Sequence, residues 1–121
     1  MKRIAACLSI MAVALGLTIL PSLAEGKKLT LSGYLLDQMC GQEIKDPAKA
    51  KEHTRECALM DHCAASGYGI YVDGKLLKFD KAGSKQARTL LENSKKEKEM
   101  EVIAEGTLSG NVLTVTSLKE K

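Results

Sequence analysis

The chain has 121 residues, 27% of them charged, and four cysteines, so it forms one domain at most. Its aromatic residues are few: Tyr34, Tyr68, Tyr71 and Phe79. With a formal charge of only +3, the chain lacks the clustered positive charge and the stacking rings that nucleic-acid binding requires. The composition therefore excludes nucleic acid as an expected partner.

The first 24 residues have the pattern of a secretory signal peptide. The basic pair Lys2–Arg3 precedes a nearly unbroken apolar run, Ile4–Leu20, and small residues follow at Ser22 and Ala24. An uncleaved membrane anchor is the alternative, but the run is only about long enough for a short span, and a cleavage site follows it directly. We expect cleavage after Ala24, a periplasmic or secreted location, and no membrane-embedded segment afterwards.

Cleavage would leave a domain at 25–121, which has 97 residues. Its 16 basic residues face 15 acidic ones, because the leader takes two of the 18 lysines and arginines with it. So short an exported chain buries little core, which favours a covalent or metal staple. The domain keeps three cysteines, so any single disulfide leaves one thiol over.

The elements before the middle of the chain are predicted from pattern and caps. Alternating apolar residues predict a strand over Lys27–Asp37, and Gly33 within it suggests a bend or bulge. Asp46 as N-cap and Pro47 as first helical residue predict a helix from Pro47 to about Ala65.

The second half of the chain reads as a hairpin, a helix and two further strands. Two β-rich runs over Gly69–Asp80 flank Asp73-Gly74, a pair that favours a type I′ turn. Ser84 is predicted to cap a helix that ends at about Asn93. Alternating strands follow over 100–108 and 112–118, joined at Gly110-Asn111.

Five strands, with a helix between the third and fourth, match the element order of an OB-fold, a small Greek-key barrel. We therefore expect a mostly β domain with two helices, built as a five-stranded OB-like barrel, and a Cys/His-containing helical insertion at about 38–68. A five-stranded α+β meander is the alternative. Likeness of topology carries no function by itself.

The insertion holds three of the four cysteines and both histidines. Cys40 follows the first strand and Cys63 precedes the second, so antiparallel pairing of those strands would make Cys40–Cys63 the most natural disulfide. Cys40–Cys57 is the second choice. On a continuous helix, Cys57 and Cys63 point too far apart to be bridged.

A metal site uses the same residues. Cys40, His53, Cys57 and Cys63 form a Cys₃His set that zinc accepts. His53 and Cys57, four residues apart on one helix face and followed by Met60, would suit copper(I) instead. The absence of a C-x-x-C pair weakens the zinc interpretation, and the choice between disulfide and metal stays open.

Catalysis is not indicated. Cys57 and His53 lack a third group to orient them, and we expect a non-enzymatic protein. The first hypothesis is a metal-binding module of the cell envelope (Zn or Cu). The alternative is a disulfide-stapled domain that binds a protein or small ligand near Tyr68, Tyr71 and Phe79, and a weaker one is a thiol redox protein.

The chain resembles a group of small exported bacterial proteins of unknown function at three motifs. These are D-x-x-C-G, H-T-R-E-C-A-L-M and C-A-A-S-G-Y-G-I-Y-V-D-G-K. The shared features are Asp37, Cys40, His53, Cys57, Cys63, Ser66-Gly67-Tyr68-Gly69 and Asp73-Gly74. The resemblance spans nearly all of the mature chain and implies bacterial export and a shared structural role for the three cysteines.

Overall fold

The computed structural model describes residues 26–121, so the predicted signal peptide lies outside the described residues. These residues form five strands and five helices, and the prediction of a mostly β chain with five strands is confirmed. In chain order the elements are β1 Lys27–Asp37, α1 Gln38–Gly41, α2 Pro47–Glu52, α3 Arg55–Ala58, α4 Asp61–Ala65, β2 Tyr68–Val72, β3 Lys75–Phe79, α5 Lys81–Asn93, β4 Glu101–Ser109 and β5 Val112–Glu120.

The strands form one mixed sheet in the order β1-β2-β3-β5-β4, and β1 pairs with both β2 and β4, which closes the sheet on itself. Only β3 and β5 run parallel. Tyr34 is the residue at which β1 passes from β4 to β2, since it pairs with Glu101 and with Tyr71. A Cβ atom at the neighbouring Gly33 would lie 2.3 Å from the carbonyl oxygen of Tyr71, so glycine permits this close approach.

The main core fills the inside of the sheet, and α5 covers one opening with Ala87 and Leu91. A second, smaller cluster lies on the outer face of β1 and β2, where Leu36 and Tyr71 pack against Ala50 of α2. Because the insertion covers this outer face, the end of β1 is buried on both sides.

Both predicted turns lie where the sequence places them. Asp73 and Gly74 have φ of 51° and 78°, as a type I′ turn requires. Between β4 and β5, Gly110 has φ of 62°. The alternation predicted for the last two strands is likewise confirmed, because Val102, Ala104, Leu113 and Val115 are buried.

The continuity of one predicted helix and the start of another were wrong. The helix expected over 47–65 is three short helices, interrupted at His53-Thr54 and at Leu59-Met60. Helix α5 begins at Lys81, three residues before the predicted cap, because Asp80 Oδ1 accepts the N–H of Gly83 at 3.0 Å. Ser84 Oγ instead accepts the N–H of Tyr68, 16 residues away in sequence, at 3.0 Å.

No helix within residues 26–121 combines the length and apolarity needed to cross a bilayer.

Candidate functional site

The insertion between β1 and β2 is anchored at its base by a buried carboxylate. Asp37, the last residue of β1, is 0% exposed. Its Oδ2 accepts the N–H of Cys40 at 2.9 Å and thereby caps α1, and its Oδ1 lies 2.7 Å from His53 Nε2. One side chain therefore ties together the end of β1, the short helix α1 and the middle of the insertion.

Two thiols adjoin this carboxylate. The Sγ atoms of Cys40 and Cys63 and a carboxylate oxygen of Asp37 all lie within 4.8 Å of one another. Cys63 is buried and Cys40 is half-buried. All three cysteines of residues 26–121 are free thiols, so the predicted Cys40–Cys63 disulfide stays a prediction about two sulfur atoms that the fold makes neighbours.

Hydrogen bonds keep the Asp37 carboxyl ionised at neutral pH, and burial keeps the two thiols protonated. Burial raises the pKa of the Asp37 carboxyl, but its hydrogen bonds with His53 and the Cys40 N–H outweigh burial and lower the pKa overall. Burial, followed by the nearby Asp37 charge, raises the pKa of the Cys40 thiol to about 12. The same two causes raise the pKa of Cys63. At neutral pH both thiols are therefore weak nucleophiles.

The predicted set of Cys40, His53, Cys57 and Cys63 is not brought together as a unit. Cys57 is exposed on α3 and lies outside the group that approaches within 4.8 Å. The helix break at His53-Thr54 removes the regular four-residue spacing on which the shared face of His53 and Cys57 depended. His53 reaches the cluster through its 2.7 Å hydrogen bond with Asp37.

Asp37 belongs to the candidate site but was absent from the predicted ligand set of Cys40, His53, Cys57 and Cys63. A signal for it was present, because an Asp three residues before Cys40 has the spacing of an N-cap that accepts the N–H of the third helical residue. Its closeness to His53, which lies 16 residues away in sequence, has no local signature.

The three rings proposed as a ligand surface expose little of themselves. Tyr68, Tyr71 and Phe79 are 1%, 4% and 4% exposed, so most of each ring lies in the core, although Tyr68 and Phe79 also line a cleft between the insertion and α5. Their role in ligand binding stays a prediction. The hydroxyl of Tyr68 donates to the carbonyl oxygen of Ala58 at 2.7 Å, which fastens α3 to the barrel. Among the described residues, the buried hydroxyl of Tyr71 has no hydrogen-bond partner.

No family model, curated protein or solved structure matches the chain.

Proposed function

We propose that the protein is an exported, non-enzymatic, OB-like domain that binds a zinc ion at the base of its insertion, through Cys40, Cys63 and Asp37. The observation that carries the proposal is the mutual approach of two sulfur atoms and a carboxylate oxygen within 4.8 Å. In a tetrahedral zinc site two thiolate sulfurs lie roughly 3.8 Å apart, given Zn–S bonds of about 2.3 Å. Small side-chain adjustments would bring these three atoms into that sphere.

The donor set favours zinc over copper(I). Copper(I) prefers soft sulfur ligands alone, whereas zinc accepts thiolate and carboxylate together. His53 would not bind the metal itself. Its hydrogen bond with Asp37 would hold the carboxylate in position, as residues that contact metal ligands commonly do. Three protein ligands leave a fourth position open, which is the pattern of a site that exchanges its metal or a bound group rather than a closed structural site.

The order of the barrel strands supports the OB-like part of the proposal. The strand order β1-β2-β3-β5-β4, with a helix between β3 and β4, is the expected five-stranded Greek-key arrangement. The insertion replaces the loop between the first two strands, and that loop is a usual binding edge of this architecture.

Metal content tests the proposal. Protein exported with its own leader and purified reduced should bind one equivalent of Zn²⁺. Cys40→Ser and Cys63→Ser should each weaken binding by 10-fold or more, while Cys57→Ser should leave it unchanged. Equal affinity in Cys40→Ser and Cys57→Ser would refute the site.

A disulfide-stapled interaction domain is the second candidate, favoured by the same closeness of Cys40 and Cys63 in a chain predicted to be exported. A bond between them would close the insertion at its base and stabilise the domain by roughly 3 kcal/mol on the chain-entropy model. The two candidates separate by intact mass under non-reducing conditions: a mass lower by two hydrogen atoms, without metal, selects the disulfide.

A further inference from the structure

A cleft of about 420 Å³ lies between the end of the insertion and the first half of α5. Its insertion side is formed by Gln38 and the 64–68 segment, and its α5 side includes Lys81, Lys85 and Arg88. No acidic residue lines it within the described part of the chain. We call it the basic cleft; it shares no residue with the Asp37–Cys40–Cys63 cluster.

The positions of the three cations on α5 are unfavourable for the stability of an isolated helix. Lys81, Lys85 and Arg88 are spaced by four and three residues, so they share one face of α5, and like charges at these spacings repel. Lys81 also lies in the first turn, where the helix dipole disfavours cations. The N-cap Asp80 does not line the cleft, and its Oδ1 accepts the N–H groups of Gly83 and Val115.

Protein side chains leave much of this charge uncompensated. Among residues 26–121, Lys81 and Lys85 form no ion pair, although Lys51 and Lys121 do. Arg88 Nε donates to Glu92 at 2.9 Å, which leaves the two terminal nitrogens of its guanidinium group for another acceptor. The cleft therefore holds three positive groups, and Arg88 at its far end has acidic neighbours in Glu92 and Asp61.

The polar groups between insertion and helix hold the cleft open in one shape. Ser84 Oγ accepts from the N–H of Tyr68, and Gln38 Nε2 donates to the Tyr68 carbonyl oxygen, each at 3.0 Å. Ser66 Oγ donates to the Cys63 carbonyl oxygen at 2.6 Å. These bonds fix the walls of the cleft, and the lysine and arginine side chains supply its positive charge.

We propose that the basic cleft binds the phosphate group of a small phosphate monoester. A phosphate carries about −1.5 to −2 charge at neutral pH, which compensates the three cations better than a single carboxylate does. The two terminal guanidinium nitrogens of Arg88 can donate to two oxygens of one phosphate group, and the lysines act as point charges. The remaining volume of the cleft accommodates the ester group.

The test is an NMR titration of the reduced, isotope-labelled protein at low ionic strength. Inorganic phosphate and glycerol phosphate are added in turn, and the amide resonances are monitored. Chloride at the same ionic strength is the reference. We expect saturable shifts at the amides of Gly67, Tyr68 and Ser84. Lys85→Gln should weaken binding by about tenfold, the loss of one charge-assisted hydrogen bond.

Lys28→Gln is the matched control, because it removes the same charge from β1, outside the cleft. It should leave the phosphate affinity unchanged. Shifts that rise without saturation, that chloride reproduces, or that Lys28→Gln and Lys85→Gln reduce equally would overturn the proposal. Zinc binding is measured separately on the same samples, so failure of the cleft and failure of the zinc site are distinguishable.

Discussion

At the scale of single residues, the position of the insertion depends most on Asp37. Its carboxylate is buried, and it receives hydrogen bonds from two segments that are otherwise distant. Burial of a carboxylate costs free energy unless it is fully hydrogen-bonded, so loss of these hydrogen bonds should destabilise both the cluster and the fold around it.

Replacement of Asp37 by Asn should lower the free energy of unfolding at pH 7 by about 2 to 3 kcal/mol, because it removes a buried charge and leaves its partners poorly matched. The pKa of Asp37 is lowered in the folded state from its ordinary value of 3.8. Its contribution is therefore fully present above pH 3.8 and is lost as pH falls through the folded-state pKa.

Urea unfolding as a function of pH checks this: the gap between wild type and Asp37→Asn should be constant near neutrality and shrink below pH 3.8. Asp46→Asn is the control, since Asp46 caps α2 from an exposed position and its loss should cost under about 1 kcal/mol. A pH-independent gap would show that Asp37 is not ionised in the fold.

The two buried tyrosines give an opposed pair of predictions. Tyr68→Phe should lower the free energy of unfolding by about 1 to 3 kcal/mol, because the carbonyl oxygen of Ala58 loses its donor. Tyr71→Phe should be neutral or stabilising, because the hydroxyl it removes is buried and has no partner among the described residues. Equal effects in denaturant unfolding would contradict the assigned hydrogen bonds.

At the scale of elements, the sequence predicted the turns and the start of α2 better than the start of α5 or the continuity of the helix in the insertion. Asp46-Pro47 and Asp73-Gly74 act through their own backbone geometry, so local rules identify them. Two contacts interrupt the helix after His53. Thr54 Oγ1 accepts the N–H of Cys57 at 3.1 Å, and the N–H of Arg55 donates to the backbone carbonyl oxygen of Glu97 at 2.8 Å. The second of these contacts is tertiary and lies beyond any local pattern.

Thr54→Ala should therefore loosen α3, at a cost of about 1 kcal/mol, while Thr54→Ser keeps the cap and should cost less. Thermal unfolding of the two variants measures the difference. If both lose the same stability, the capping hydroxyl does not hold this helix, and the break at His53-Thr54 has another cause.

At the scale of the whole molecule, the closing of the sheet is least secure between β3 and β5. Those strands pair at only two positions, Lys78 with Val112 and Phe79 with Leu113, whereas β1 and β4 pair at eight. Parallel pairing is also slightly weaker per residue. The alternation of apolar residues predicted five strands, but alternation alone does not state which strands meet, and only the likeness of element order to an OB-fold suggested it.

Hydrogen exchange should therefore be fastest, among the pairs of strands in the sheet, between β3 and β5. The amides of Lys78 and Asp80, which donate to Asn111 and Leu113 across this pairing, should exchange faster than those of Leu31 and Ala104 in the β1–β4 ladder. Uniform protection around the sheet would contradict a weak β3–β5 pairing.

The candidate site was half predictable for the same reason. Placing Cys40 after one strand and Cys63 before its neighbour follows from antiparallel pairing, and the structure brings their sulfur atoms within 4.8 Å. Tertiary contacts decide where the insertion bends. That bend places Cys57 outside the cluster, and it brings His53 into hydrogen-bonding distance of Asp37.

The most direct test of the zinc proposal is a cysteine footprint by mass spectrometry. The reduced, exported protein is alkylated at neutral pH with and without one equivalent of Zn²⁺, and each labelled cysteine is identified. The zinc site predicts rapid labelling of the exposed Cys57 in both samples and a strong zinc-dependent slowing at Cys40 and Cys63 together. Protection of Cys57, or labelling of Cys40 and Cys63 at rates that zinc does not change, would contradict it.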